Sequence, residues 1–146
     1  MKELSNHAKV AKLCRAYLKS LGIKGRCTSQ SYSMGDNVNV DVEDLSPSMT
    51  QKLVEEFAKY QYGHFDGMTD SYNYDNCDSS IPQTKYLFVN NSYSDIMRNK
   101  AIEHLIRVHN VYDDTTAQEH FGRWYSNVIH GVLTGVYDKQ EFWGEE

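Results

Sequence analysis

Asn37-Val38-Asn39-Val40-Asp41-Val42-Glu43 alternates valine with polar or acidic side chains at a strict period of two. Successive side chains of a strand point to opposite faces, so this pattern predicts a strand that buries its valines and wets its other face. Immediately upstream, Arg26 to Tyr32 predicts a more polar partner strand, with Cys27, Ser29 and Ser31 on one face and Thr28, Gln30 and Tyr32 on the other. Met34-Gly35-Asp36 supplies the turn between them, giving a β-hairpin whose first strand has a weakly defined inner face and suits a sheet edge.

Outward from the hairpin the period changes to that of helices. Val10, Leu13, Cys14, Tyr17, Leu18 and Leu21 form one helical stripe opened by Ser5 or Asn6 and closed at Gly22, with a basic outer face. Ser46-Pro47 opens a second helix, since serine caps while proline at the first position lacks only an N–H that had no partner. Its apolar face is Met49, Leu53, Val54, Phe57 and Tyr60. Asn73 to Thr84, rich in Asn, Asp and Ser, predicts a loop, and Lys85 to Asn90 a third strand. Ser92 or Ser94 caps a helix carrying Ile96, Met97, Ala101, Ile102, Leu105, Ile106 and His109. Thr116-Ala-Gln-Glu119 reads as a capping box opening a last helix with Phe121, Trp124, Tyr125, Val128, Ile129 and Val132 on one face, before an acidic tail with Phe142 and Trp143. The expectation is an α+β fold: a small antiparallel sheet, hairpin plus third strand, packed with about four helices in a single domain.

Composition narrows the function classes. The chain of 146 residues has 15 basic and 20 acidic side chains and a net charge of −5, with neither half basic. That argues against direct nucleic-acid binding, which draws on Lys/Arg patches to neutralise phosphate. No G-x-x-x-x-G-K-[ST] or G-x-G-x-x-G occurs to cradle a nucleotide. Cys14, Cys27 and Cys77 are odd in number and widely spaced, which fits reduced thiols rather than a disulfide framework or structural zinc. With no apolar leader and no membrane-length apolar run, the expectation is a soluble protein of the cytoplasm with no membrane partner.

His104 and His109 lie five apart, about 140° round a helix, and Glu103-His104 fails the H-E-x-x-H spacing, so metal binding is not expected there. His120 and His130 also fall on different faces of their expected helix. A nucleophile reading would set Ser71 or Cys77 with His64 and Asp66 or Asp70, but no G-x-S-x-G elbow supports it. Asp66, Asp70, Asp75 and Asp78 miss the D-x-[DN]-x-[DN]-G calcium pattern and read as turn caps. No catalytic residue, cofactor or metal is therefore assigned. The densest unusual stretch is Tyr60 to Tyr74, Tyr-Gln-Tyr-Gly-His-Phe-Asp-Gly-Met-Thr-Asp-Ser-Tyr-Asn-Tyr, four tyrosines interleaved with acids. Aromatic residues with few lysines suit a protein–protein contact, where Tyr and Trp dominate the binding energy.

Within that stretch, Gly63-His-Phe-Asp-Gly-Met-Thr-Asp-Ser-Tyr-Asn-Tyr74 resembles the signature of a large polyvalent protein-associated domain, a module of phages and conjugative elements that also occurs as small stand-alone proteins. The resemblance spans about residues 7–95: a helix ending Leu-Gly-Ile-Lys, the strands through Ser29-Gln-Ser-Tyr-Ser33 and Asn37-Val-Asn-Val-Asp41, and a helix leading into Phe-Asp-Gly-Met. Residues 96–146 fall outside it as a C-terminal helical addition. Phe65, Asp66, Gly67, Met68, Asp70, Tyr72 and Tyr74 are carried as the shared binding motif, with Gly67 expected to let the chain turn and Asp66 and Asp70 to cap neighbouring N–H groups. The resemblance implies a non-enzymatic counter-defence protein acting by protein–protein binding on a host defence complex. Its most concrete version is an anti-CRISPR inhibitor of a multisubunit CRISPR effector, and a homo-oligomer stays open. The alternatives are a small enzyme acting on nucleic acid or nucleotides through His64, Asp66 and Asp70, and a DNA-binding accessory protein.

Overall fold

The computed structural model describes residues 4–145 as a mix of helices and strands, the α+β class expected. Cα packing divides the chain into two units: residues up to Glu43 together with Gln51–Ser92, and Asp44–Thr50 together with the chain from Tyr93 onward.

In the first unit, α1 (Asn6–Ser20) packs on β1 (Gly25–Tyr32) and β2 (Gly35–Glu43). The hairpin is antiparallel with Cys27 opposite Val40 and Ser29 opposite Val38. Val38, Val40 and Val42 are buried, as their alternation requires, together with Val10, Cys14 and Leu18 from α1. Beyond α2 (Pro47–Phe57), the chain makes a 3-10 turn (Ala58–Tyr60) and a two-stranded ribbon, β3 (His64–Asp66) and β4 (Ser71–Asn73). The third strand of the main sheet, β5 (Tyr86–Ser92), joins β2 in parallel, so the sheet is mixed, in the order β1-β2-β5. Parallel pairing needs a long crossover, and α2 with the ribbon provides it. The register puts Leu87 and Val89 beside Val38 and Val40, while Tyr86, Phe88 and Asn90 share the opposite face with Asn37, Asn39 and Asp41.

Side chains fix where β5 begins. Asp36 Oδ1 accepts from Thr84 Oγ1 (2.9 Å) and Lys85 N (2.8 Å), and Gln61 Oε1 accepts from Leu87 N (2.8 Å). All three cysteines are unpaired. Burial pushes the Cys14 thiol up to about 12 and the Cys27 thiol up to about 11, so both stay protonated at neutral pH.

In the second unit, α3 (Asp95–His109), α4 (Asp114–Phe121) and α5 (Tyr125–Leu133) enclose Ala101, Leu105, Val111, Ala117, Val128, Ile129, Val132 and Leu133. Ser94 caps α3 by accepting from Met97 N (3.2 Å), and Asp44 accepts from both Ser94 N (2.8 Å) and Ser94 Oγ (2.6 Å). The single helix expected after Thr116 is instead two. Asp113 is the N-cap of α4 and Thr116 its capping-box partner, so the box lies one turn earlier than Thr116-Glu119 suggests. Gly122 then ends α4 in the left-handed region (φ 69°). Asp114 Oδ1 accepts from Tyr125 N (2.9 Å) at the start of α5, and Trp124, at the break, is 60% exposed rather than on the apolar face. The tail docks: in α6 (Lys139–Trp143), Phe142 packs on the core and Trp143 Nε1 donates to the Leu133 carbonyl (3.0 Å). The Glu145 carboxylate accepts from Ser46 Oγ (3.1 Å) and Ser48 N (3.3 Å) at the opening of α2. No helix among the described residues is long and apolar enough to cross a membrane.

Candidate functional site

The stretch from Tyr60 to Tyr74 is not a simple connection but the β3–β4 ribbon. His64 faces Asn73, Phe65 faces Tyr72 and Asp66 faces Ser71 across the pair. Gly63 makes the ribbon possible: a methyl group there would collide with the Asn73 carbonyl and the Tyr72 ring. Gly67, in contrast, has open space around it and no positive φ, so the turn does not depend on it. The backbone freedom sits instead at Asp70 (φ 51°), a conformation Asp tolerates better than most residues. Asp70 therefore shapes the turn through its backbone rather than as the expected cap. Asp66 does cap: its Oδ1 accepts from Met68 N (3.0 Å), and that bond holds its carboxyl below the ordinary carboxylate range.

The ribbon gathers aromatic rings from two strands. Tyr72 sits centrally, edge-on to Tyr62 (5.8 Å), Tyr74 (5.0 Å) and Tyr86 (5.5 Å). Tyr62 stacks on Tyr74 (5.6 Å) and Tyr86 on Phe88 (5.9 Å). Edge-to-face and offset-stacked pairs at these separations are the favoured aromatic geometries. The Lys85 ammonium lies 5.0 Å from the Tyr72 centroid and 5.7 Å from that of Tyr86, held by the Met34 carbonyl (2.9 Å). Tyr72 OH donates to the Lys85 carbonyl (2.6 Å), and burial pushes its phenol well above the ordinary value. Around this braced centre the chain shows its apolar side chains to solvent: Phe65 is 51% exposed, Met68 98%, Tyr74 63% and Phe88 46%. Beside them a surface cleft of about 640 Å³ is lined by Tyr62, Tyr74, Cys77, Asn6, Lys9 and the loop to Gln83.

That loop, 74–83, is irregular as expected but tied down by side chains. Asn76 Nδ2 donates to the Ala58 and Gln61 carbonyls (3.1 and 2.9 Å), and Gln83 Nε2 to the Lys59 and Asn76 carbonyls (2.8 and 2.9 Å).

No family model matches this chain, and no curated protein or solved structure matches it significantly. The groups of the nucleophile reading are engaged elsewhere: His64 Nδ1 meets Asp75 Oδ2 (2.9 Å), Ser71 Oγ pairs with Thr69 Oγ1 (2.7 Å), and Cys77 Sγ points at the Tyr62 carbonyl (3.6 Å). His64 and Asp75 are both more than half exposed, an exposure at which an ion pair contributes little. Of the seven motif residues, Phe65, Met68, Tyr72 and Tyr74 belong to the aromatic surface, while Asp66 and Asp70 shape its turn. Tyr86, Phe88 and Lys85, outside that motif, join the same surface. Tyr86 and Phe88 alternate and so must share a face, a signal present in the sequence; Lys85 is out of phase with them and reaches the rings by its long side chain.

The Tyr72 hydroxyl gives a direct test of how the surface is braced. Tyr72→Phe removes the bond to the Lys85 carbonyl and is expected to cost about 1 kcal/mol in denaturant unfolding. Because the folded phenol holds its proton above the unfolded value, its contribution is complete below about pH 10 and is lost as pH rises further. Thermal melts across that range are expected to fall more steeply for the wild type than for Tyr72→Phe.

A second polar cluster lies within the C-terminal unit and corrects the rotation argument for His104 and His109. Both imidazoles reach one oxygen, Asp138 Oδ2, His104 Nε2 at 2.8 Å and His109 Nε2 at 2.6 Å. Two directions 140° apart on a helix still converge when the acceptor stands between them, and Asp138 arrives there from the α5–α6 connection. Burial raises the Asp138 carboxyl, but the bonds to His104 and His109 outweigh it and hold it below the ordinary range. His120 Nε2 lies 3.1 Å from His109 Nδ1, extending the chain of groups.

Proposed function

We propose that this protein is a phage or mobile-element counter-defence protein that inhibits a host defence complex by binding a protein surface through its aromatic ribbon. The observation that carries the reading is the braced ring cluster of Tyr62, Tyr72, Tyr74, Tyr86 and Phe88 with Phe65 and Met68 displayed beside it. Rigid aromatic side chains presented to solvent lose little conformational entropy on binding, and Tyr is among the residues that dominate interface hot spots. The rings are interleaved with Asp66, Asp70 and Asp75, which suits a protein partner better than phosphate. The source and the host target rest on the resemblance of Gly63–Tyr74, and a multisubunit CRISPR effector is the specific partner proposed.

The test is whether the tagged protein captures such an effector from cells that carry one, and whether its expression restores infection by a phage the effector targets. Both are expected. Capture of no effector subunit together with unrestored infection would exclude this target.

A further inference from the structure

We propose that His104, His109 and Asp138 form a site for a divalent transition-metal ion of the zinc class, with His120 as its supporting hydrogen-bond partner. This proposal stands on the C-terminal unit alone and is independent of the aromatic surface. One ring nitrogen each of His104 and His109 and an Asp138 carboxylate oxygen all lie within 4.8 Å of one another. Two imidazoles and one carboxylate match the three-protein-ligand sets of open zinc sites, and the imidazoles disfavour calcium or magnesium, which take oxygen ligands. The environment suits an ion as well: His104 is 3% exposed, His109 19% and Asp138 22%, so the donors are shielded without being sealed. A shallow cavity of about 230 Å³ lined by His109, Asn110, Val111, Thr116, Glu119 and His120 opens to solvent on the His109–His120 side of the cluster.

The parts are held in place by backbone. His109 is the last residue of α3, stopped by Asn110 in the left-handed region (φ 56°). Asp138 is itself left-handed (φ 54°) at the opening of α6, so an ion there would tie the end of α3 to the α5–α6 connection. Bonds of zinc length place ligand atoms about 3.3 Å apart in a tetrahedral site. The present separations of 2.6 and 2.8 Å are those of hydrogen bonds, so the carboxylate moves out by about half an ångström as the ion enters. Without an ion, each neutral imidazole donates its Nε2–H to Asp138, and His109 Nδ1 accepts from His120 Nε2. Ligation through Nε2 would move each of these protons to the Nδ1 of its own ring, with no net release. The His109 Nδ1–H would then donate to His120 Nε2, the outer contact that orients a metal-bound histidine.

The experiment is calorimetric titration of the chelator-treated full chain with Zn²⁺, with Co²⁺ absorption as a second readout. One equivalent is expected to bind and to raise the melting temperature with the logarithm of free zinc once zinc exceeds the dissociation constant. Asp138→Asn keeps the left-handed preference and a carbonyl acceptor, so it should fold and lose the site, and His109→Gln should lose it independently. His120→Gln is expected to weaken binding about 10–100-fold while leaving the stoichiometry unchanged. Cys77→Ser should bind as the wild type, and the Co²⁺ spectrum should lack a thiolate charge-transfer band, which separates this site from the exposed thiol. Absence of binding at micromolar zinc, binding unchanged in Asp138→Asn and His109→Gln, or binding lost in Cys77→Ser would each overturn the proposal.

Discussion

Phe57→Ala is expected to cost about 3–5 kcal/mol, the largest single loss in the first unit. Phe57 is fully buried at the end of α2 and packs edge-on to Tyr17 (5.5 Å) and against Tyr60 (6.3 Å). Removing the ring forfeits its transfer from water and leaves a hole that rigid neighbours cannot close. Native domains hold only about 5–15 kcal/mol in total, so the loss is a large share of the whole and should lower the urea midpoint clearly. Urea unfolding followed by far-UV circular dichroism is the check. A midpoint within error of the wild type would mean that Phe57 does not anchor α2 as the packing indicates.

Gly63→Ala is the second large effect, and Gly67→Ala is its control. The added methyl at Gly63 meets backbone of β4 and the Tyr72 ring, neither of which can yield without parting the ribbon. Overpacking of this kind costs about 1–3 kcal/mol, and here it also displaces the ring at the centre of the proposed binding surface. Gly67 has nothing within 4 Å of such a methyl, so Gly67→Ala should melt as the wild type. Both glycines lie within the same resembling stretch, yet only one is required by the fold. Thermal denaturation of the pair, with near-UV circular dichroism for the tyrosine environment, distinguishes them. Equal effects of the two substitutions would contradict the assigned contacts.

The valine alternation from Val38 to Val42 carried the sheet, because a half-buried strand leaves a period that sequence displays directly. The direction of β5 was not legible, since a period of two is the same for parallel and antiparallel neighbours. Gly122 does not stand out as a break in the sequence because the apolar stripe of Phe121, Tyr125, Val128 and Ile129 continues through it: α4 and α5 both contribute to one core. Strands of three residues, like β3 and β4, are too short to show periodicity, and what announces them is the glycine that admits them. The motif residues were legible as a cluster, but their partners Tyr86 and Phe88 come from a strand that only folding brings alongside. The histidine–aspartate cluster was hidden for the same reason: Asp138 lies 34 residues beyond His104 and 29 beyond His109.

The aromatic surface is tested most directly by Tyr74→Ala combined with Phe88→Ala, two rings that are 63% and 46% exposed. The measurement is affinity for the captured effector beside the melting temperature of the same preparation. Loss of two hot-spot rings, at about 2 kcal/mol each, predicts an affinity weaker by roughly 1,000-fold in a protein that still unfolds cooperatively, its melting point lowered only by the lost Tyr62–Tyr74, Tyr72–Tyr74 and Tyr86–Phe88 ring contacts. An affinity equal to that of the wild type would show that the ribbon is not the binding surface.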